Sequence, residues 1–142
     1  MKEKAQDSTE RKKKVNKLIM TINVTTYEPI SLEGKGSRVV MIPFSAKATG
    51  EYFTGETLSV GVDTQITENN AFSLSARYML EGTDRCGNKC RVFIENNGTS
   101  LDNCKPKIYT DSEELSFLEN SELVANVECV ENGVVVKIFV KV

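Results

Sequence analysis

The sequence contains no histidine and no segment long and apolar enough for a transmembrane helix. Without an imidazole, acid–base chemistry near neutral pH would depend on Asp63, on Tyr78 or on a glutamate with a shifted pKa. No run approaches the roughly 18 to 20 consecutive apolar residues that cross a bilayer. The first 17 residues also lack the apolar core of a secretory signal. These absences predict a cytoplasmic protein with no membrane partner, and they assign no catalytic residue.

Charge is unevenly distributed along the 142 residues. The first 17 residues hold seven lysines and arginines against three acidic residues, a net charge of +4, which leaves −6 for the remainder of a chain whose total is −2. The shortage of apolar residues predicts a disordered basic tail over 1–16. Residues 17–142 then form a single domain, because two separate cores would be too small at this length. The acidic body argues against a nucleic-acid partner.

No segment repeats its apolar residues with the helical period of 3.6 over three turns. Alternation with a period of two is common, and it is clearest from 71 to 81. Strands are predicted at 17–26, 38–48, 57–66, 71–81, 89–95, 123–129 and 134–142, with a short helix or strand near 113–118. Pro43 predicts an edge or a bulge in the second of these strands. The fold class is therefore all-β: an antiparallel β-barrel of about eight strands with a flexible N-terminal tail, or alternatively a sandwich.

Two asparagine-containing turns join neighbouring strands. Asn69-Asn70 predicts a turn between the strands that carry Asp63 and Arg77. Asn132-Gly133 lies between two alternating segments and predicts a type I′ hairpin, in which both turn residues have positive φ.

The candidate ligand-binding residues are Asp63, Gln65, Arg77 and Tyr78. Asp63, Gln65 and Arg77 each occupy the face of their strand opposite its apolar residues. If those polar faces point into the barrel, they enclose a carboxylate, an amide and a guanidinium that suit a small polar ligand. The alternative is that they face water or form a structural ion pair. We expect Asp63 and Arg77 to lie within salt-bridge reach, and a neighbouring Arg77 would lower the pKa of Asp63.

Four cysteines, Cys86, Cys90, Cys104 and Cys129, are expected to remain thiols in a chain without an export signal. Cys86 and Cys90 have a C-x3-C spacing and not the C-x2-C of most zinc knuckles, and no second pair follows. We therefore expect no metal and no cofactor. Cys129 alternates with apolar residues, which indicates a small core residue.

A series of short motifs in the middle of the chain resembles a known family. The motifs are Gly36-Ser-Arg38, Val40-Met-Ile-Pro43-Phe, Ala46-Lys-Ala-Thr-Gly50, Phe53-Thr-Gly55-Glu56, Val60-Gly61-Val-Asp63-Thr-Gln65, Leu74-Ser-Ala-Arg77-Tyr78 and Ile94-Glu-Asn96-Asn-Gly98. In order and spacing they resemble the domain-of-unknown-function 3237 family (uncharacterised protein family 0311), small and mainly bacterial proteins. The resemblance covers about 18–141. It implies an antiparallel β-barrel and no established reaction. The chain departs from the family in Val62 and Thr64, and in the inserted loop from Cys86 to Cys90.

Three functions remain open from the sequence. The first is a non-catalytic module that binds a small organic molecule in the barrel. The second is an enzyme of isomerase, cyclase or lyase type, in which Arg77 would stabilise a developing anion. The third is a structural protein that self-associates into a homo-oligomer through a sheet face. An interior filled by Leu58, Val60, Phe72 and Leu74 would favour the third function, and a cavity would favour the first two.

Overall fold

The computed structural model describes residues 16–142. The predicted tail over 1–16 lies outside the described residues, apart from Asn16. The strands are β1 (Asn16–Thr26), β2 (Ile30–Glu33), β3 (Ser37–Thr49), β4 (Phe53–Thr57), β5 (Gly61–Glu68), β6 (Ala71–Asp84), β7 (Lys89–Ser100), β8 (Asn103–Thr110), β9 (Leu123–Val130) and β10 (Gly133–Lys141). A 3₁₀ helix, Ser116–Asn120, lies between β8 and β9, in the region where a short helix or strand was predicted. No helix in this part of the chain has the length and apolarity that crossing a membrane requires.

The ten strands form one antiparallel sheet that closes on itself. Successive neighbours run β1, β10, β9, β8, β7 and β6, and β6 pairs with both β4 and β5. These two strands lie end to end against β3, and β3 pairs with β1 to complete the circle. Because β4 and β5 share one position, the barrel has eight strand positions, and β2 extends the sheet beside β3. The predicted all-β antiparallel barrel is confirmed.

The two asparagine-containing turns differ in detail from one another. Asn69 and Asn70 both have positive φ, 51° and 66°, and they join the paired residues Glu68 and Ala71. At the second turn Val130 pairs with Gly133, so the turn lies one residue earlier than predicted, and Asn132 is its positive-φ residue. Gly133 is needed for a different reason: a Cβ atom there would collide with the Val24 carbonyl of β1.

Pro43 lies inside the barrel wall and not in an edge strand. β3 pairs with β5 along one side, where Pro43 is opposite Val62. Along its other side β3 pairs with β2 as far as Met41 and with β1 from Phe44 onward. Pro43 falls between those two stretches, at a position where no hydrogen bond to a neighbouring strand requires the N–H that proline lacks. The prediction of an edge or a bulge was therefore wrong, because the β3–β5 register continues unbroken through Pro43. The change of partner strand explains how a proline is accommodated.

The core is tightly packed in one half of the barrel. Its largest fully buried side chains are Phe53, Ile19, Met20, Ile22, Leu80, Ile94, Ile108, Leu115, Leu118, Ile138 and Val92. The buried Asp84 accepts a hydrogen bond of 2.8 Å from the Ser112 hydroxyl, which in turn accepts one from the Leu115 N–H. These bonds hold the segment that enters the 3₁₀ helix against the Asp84 end of β6. The other end of β6 is left free to line a cavity.

Candidate functional site

A cavity of about 200 Å³ occupies the half of the barrel away from the 3₁₀ helix. Most of its walls are aliphatic or aromatic, and a few polar groups reach into it. It is lined by Val24, Thr26, Ile42, Phe44, Asp63, Gln65, Leu74, Ala76, Tyr78, Asn96, Leu101, Val127, Cys129, Val134 and Val136. Leu101 and Cys129 are exposed, so they mark the side on which the cavity approaches solvent. Apolar walls with a few convergent polar groups are typical of small-molecule sites.

Strand β5 turns its polar face into this cavity. Asp63 and Gln65 line it, and residues two apart on a strand share a face. On the neighbouring β6 the apolar face points inward, and it contributes Leu74, Ala76 and Tyr78. The barrel interior is therefore polar along one strand and apolar along the next. The proposed filling residues Leu58, Val60 and Phe72 are exposed, whereas Leu74 is buried.

The Asp63 carboxylate is only partly satisfied. Its Oδ2 atom accepts a hydrogen bond of 2.9 Å from the Gln65 side-chain amide. Its Oδ1 atom is buried and has no hydrogen-bond partner among residues 16–142. Burial raises the pKa of Asp63, and the hydrogen bond from Gln65 offsets part of that increase. A buried acceptor without a partner is costly, so a ligand that donates to Oδ1 would recover free energy.

Asn96 provides a second unsatisfied acceptor on the same level of the barrel. Asp63 pairs with Ala76 across one strand boundary, and Ala76 pairs with Asn96 across the next. Two strand spacings place the Cα atoms of Asp63 and Asn96 about 10 Å apart. The Oδ1 atom of Asn96 is buried and, within the described part of the chain, has no hydrogen-bond partner. The methyl group of Ala76 between them leaves room for a ligand to approach both oxygens.

Phe44 and Tyr78 form the aromatic wall of the cavity. Their ring centroids are 5.1 Å apart and their planes meet at 74°, an edge-to-face contact. The two side chains close over Gly61, where an added Cβ atom would lie 2.6 Å from both the Phe44 ring and the Tyr78 Cβ. Burial raises the pKa of Tyr78, so its phenol stays neutral. Tyr78 can therefore contribute ring surface and a neutral hydroxyl.

Arg77 does not face the cavity, and the predicted ion pair with Asp63 was wrong. Arg77 is paired in register with Val62, next to Asp63, and therefore lies on the outer face of β6. Its guanidinium forms a salt bridge of 2.9 Å with Glu95 on β7, and its side chain is 65% exposed. The expected lowering of the Asp63 pKa was wrong for the same reason. Any enzyme using this cavity would lack Arg77 as an anion stabiliser.

Sequence reasoning missed Asn96 and misplaced Cys129. Asn96 lies just beyond the strand predicted at 89–95, but β7 continues to Ser100. The signal was present, because Val92 and Ile94 alternate in phase with Asn96 and all three are buried. Cys129 was predicted as a core residue, yet it is exposed at the edge of the cavity.

The cysteines and acidic residues form no metal centre in the region described. All four cysteines are unpaired, with Cys90 and Cys104 buried and Cys86 exposed like Cys129. Among residues 16–142 no three His, Cys, Asp or Glu side chains converge as metal ligands would. The polar groups that line the cavity are the Asp63 carboxylate, the Gln65 and Asn96 amides, the Tyr78 phenol, the Thr26 hydroxyl and the Cys129 thiol.

Comparison with known proteins agrees with this architecture. An uncharacterised protein family 0311 protein of Clostridium acetobutylicum is 32% identical over 84 residues, which are 56% of this chain and 51% of the relative. The match thus spans about half the length of that curated relative, and it confirms the resemblance to uncharacterised protein family 0311. No protein-family model matches the chain.

Solved structures share the fold at low identity. A Clostridium acetobutylicum protein of unknown function superposes with a TM-score of 0.74 at 24% identity, over 89% of this chain and 99% of that one. A conserved protein of unknown function from Rhodopseudomonas palustris gives 0.71 at 19% identity, over 89% and 97%. A protein described as an enzyme, from Penicillium herquei, gives 0.73 at 11% identity, over 89% and 93%. At these identities the similarity establishes the barrel fold alone.

Proposed function

We propose that the barrel binds a small organic molecule in the cavity, with Asp63 as its polar anchor. The observation that carries the proposal is the unpartnered Oδ1 of Asp63, a buried carboxylate oxygen beside apolar walls. Burying such an atom without a hydrogen bond destabilises the fold. A ligand that donates to this oxygen supplies the missing bond.

The size and lining of the cavity define the class of ligand. A cavity of about 150 Å³ lined by apolar side chains holds a benzene molecule. The cavity here, about 200 Å³, therefore suits an aromatic ring or a branched chain with one or two substituents. Asp63 and Asn96 both present acceptor oxygens, so the matching substituents are donors such as hydroxyl or amino groups. The ligand class is a small, mostly apolar alcohol, phenol or amine.

Ligand retention and a matched series of probes test this proposal. Native mass spectrometry of freshly purified protein reports any molecule that remains bound. Benzyl alcohol, benzylamine and toluene have similar size and shape but differ in donors. We expect the first two to raise the melting temperature more than toluene does, because only they can donate to Asp63. Calorimetric titration then gives their dissociation constants.

Two variants separate the cavity from the rest of the strand. Asp63→Asn replaces the carboxylate with a neutral amide of the same shape. It should weaken the binding of benzylamine by at least tenfold and leave the binding of toluene unchanged. Glu68→Gln makes the same kind of change at an exposed position of β5 and should alter neither. If each of the three probes binds Asp63→Asn as tightly as it binds the wild type, the anchor role of Asp63 is refuted. No stabilisation by any probe, with no retained molecule, would refute the binding function.

An acid–base enzyme is a second candidate, supported by the raised pKa of Asp63. A carboxylate of raised pKa is a stronger base than an ordinary aspartate, which suits proton transfer at carbon. The structural neighbour from Penicillium herquei shares this fold and is described as an enzyme. The residue that would carry isomerase, cyclase or lyase chemistry here is Asp63. Incubation of a retained ligand with the protein in D₂O tests it: incorporation of deuterium that Asp63→Asn abolishes would support catalysis, and absence of exchange would leave binding alone.

A further inference from the structure

The outer face of the barrel carries an apolar row that runs across four neighbouring strand positions. Met79, Phe93 and Tyr109 are paired in register on β6, β7 and β8, and Leu58, which follows β4, donates its N–H to the Met79 carbonyl. Leu58, Met79 and Tyr109 are 47%, 42% and 52% exposed. The Phe93 and Tyr109 ring centroids are 6.1 Å apart. We call these four residues the outer stripe.

A row of charged residues borders the outer stripe on each side, and the two rows have opposite patterns of charge. On β6, β7 and β8 in turn, the first row reads positive, negative, positive: Arg77, Glu95 and Lys107. The second row reads negative, positive, negative: Glu81, Arg91 and Asp111, the last of which directly follows β8. Each row is held by its own contacts, with Arg77 to Glu95 at 2.9 Å and Arg91 to Glu81 at 3.0 Å. Both patterns lie on the outer face because alternate residues of a strand share a face.

We propose that a second copy of this chain docks face to face on the outer stripe, with the two-fold axis lying along the stripe. This rotation exchanges the two charged rows. It brings Arg77 opposite the partner subunit's Glu81, Glu95 opposite the partner's Arg91, and Lys107 opposite the partner's Asp111. Each stripe residue meets its own counterpart. A two-fold interface must be self-complementary, and this surface meets that condition at the three positions on β6, β7 and β8. At the fourth position the exposed Glu56, which is paired in register with Glu81, has no charged counterpart across the axis.

The same charges disfavour a face-to-face arrangement with the axis at right angles to the stripe. A two-fold axis along the strands would keep each row opposite itself and exchange β6 with β8. Arg77 would then face the partner's Lys107, and Glu95 would face the partner's Glu95. Like charges would meet at every position, which disfavours association. The charge pattern therefore selects one orientation of the second copy, and this selectivity identifies a copy of the chain as the occupant.

The area of contact predicts a weak, salt-sensitive dimer. The stripe and its two rows amount to ten side chains, fewer than the 20 to 30 residues that each partner contributes to an interface of standard size. The flanking contacts are between exposed charges, which salt screens within a Debye length of about 10 Å at 0.1 M. We expect the dimer to form with increasing concentration at low salt and to dissociate as salt is added.

Mixing two charge-reversal variants tests the proposed axis. Arg77→Glu places two acidic side chains opposite each other in the homodimer, and Glu81→Arg places two basic ones, so each variant alone should be monomeric. In a heterodimer of the two variants, the two reversed side chains face each other with opposite charges at one contact, and the unchanged Glu81 and Arg77 face each other at the symmetric contact. We expect the mixture to form a heterodimer, detected by sedimentation velocity and by its mass in native mass spectrometry. Mixing cannot restore the salt bridges lost within each chain, so recovery reports the interface alone.

Controls and a second pair keep the test decisive. Lys141 and Glu122 form an exposed ion pair with 3.3 Å between Nζ and Oε1, and neither residue belongs to the stripe or its rows. The variants Lys141→Glu and Glu122→Lys should therefore dimerise as the wild type does. If an Arg77 or Glu81 variant loses its circular dichroism spectrum, Lys107→Asp and Asp111→Lys provide an independent pair with the same logic. A wild type that stays monomeric at every concentration would overturn the proposal. Single variants that remain dimeric, or a mixture that stays monomeric, would overturn it equally.

Discussion

Gln65 donates a hydrogen bond of 2.9 Å to the Asp63 carboxylate from the same face of β5, and both side chains point into the barrel. This bond leaves the second carboxylate oxygen of Asp63 buried and without a partner in the described structure. The pair thus combines a cost in folding stability with a site ready to accept a donor. Buried polar atoms without a partner are rare in folded proteins, so each one calls for an explanation, and the proposed ligand provides one for Asp63.

The first prediction concerns Asp63 and pH. Burial raises its pKa in the folded protein above the ordinary value of 3.8, so between 3.8 and the raised pKa the folded state holds more protons than the unfolded state. Stability must then fall as pH rises through that window. Asp63→Asn lacks this loss, so its urea midpoint should exceed that of the wild type by more at pH 7 than at pH 3.5. A difference that does not change with pH would contradict the raised pKa.

The second prediction concerns the space beside Phe44 and Tyr78. Gly61→Ala would place a methyl carbon 2.6 Å from the Phe44 ring and 2.6 Å from the Tyr78 Cβ, so both side chains would have to shift. Overpacking of this kind typically costs about 1 to 3 kcal/mol. Gly36→Ala is the matched control, because an added Cβ atom there meets nothing within 4 Å. We expect the control to change the free energy of unfolding by less than about 0.5 kcal/mol, and equal effects of the two variants would contradict the packing seen at Gly61.

The third prediction concerns Asp84 at the opposite end of β6. The Ser112 hydroxyl lowers the pKa of Asp84, assisted by the backbone N–H groups of Asn88 and Cys86. A lowered pKa stabilises the fold above pH 3.8 and loses that effect as pH falls through the folded value. Asp84→Asn should therefore be less stable than the wild type at pH 7, and the difference should shrink toward pH 2.

Ser112→Ala and Asp102→Asn complete the Asp84 experiment. Ser112→Ala removes the largest cause of the lowered pKa and should reproduce part of the loss. Asp102 is an exposed aspartate whose only partner among the described residues is Ser100, so Asp102→Asn should change stability little. The readout is the urea midpoint from circular dichroism. If the wild type is no more stable than Asp84→Asn at neutral pH, Asp84 does not stabilise the fold by holding the segment that enters the 3₁₀ helix.

The fourth prediction concerns thiol reactivity. Cys86 and Cys129 are both exposed, although the neighbouring Glu114 carboxylate raises the pKa of Cys86. Burial raises the pKa of Cys90 and of Cys104 and also limits reagent access. A chromogenic thiol reagent should therefore modify two cysteines quickly in the native protein and four in denaturant. Cys129→Ser should remove one of the fast reactions. Because Cys129 lines the cavity, benzylamine should slow that reaction and leave Cys86 unaffected.

Part of the site was predictable from the sequence, and one error was avoidable. A two-residue turn at Asn69-Asn70 pairs Glu68 with Ala71, so residues facing each other on β5 and β6 have numbers of opposite parity. Asp63 must then share its face with Ala76, and Arg77 must lie on the other face. The register is set by local turn geometry, which is why the sequence alone contained it.

Which face of each strand points into the barrel was decided only by the tertiary structure. Alternation in β5 shows that Asp63 and Gln65 share a face, but both faces of that strand contain residues that can be exposed or buried. Closure of β1 on β3, between residues such as Thr26 and Phe44, settles which face is enclosed. The same closure turns Asn96 inward and places Leu58 outside. The sequence by itself determined the strands, the turns and the register of the local hairpin, because these depend on neighbours along the chain. The interior depends on pairings between distant residues, and only folding brings those together.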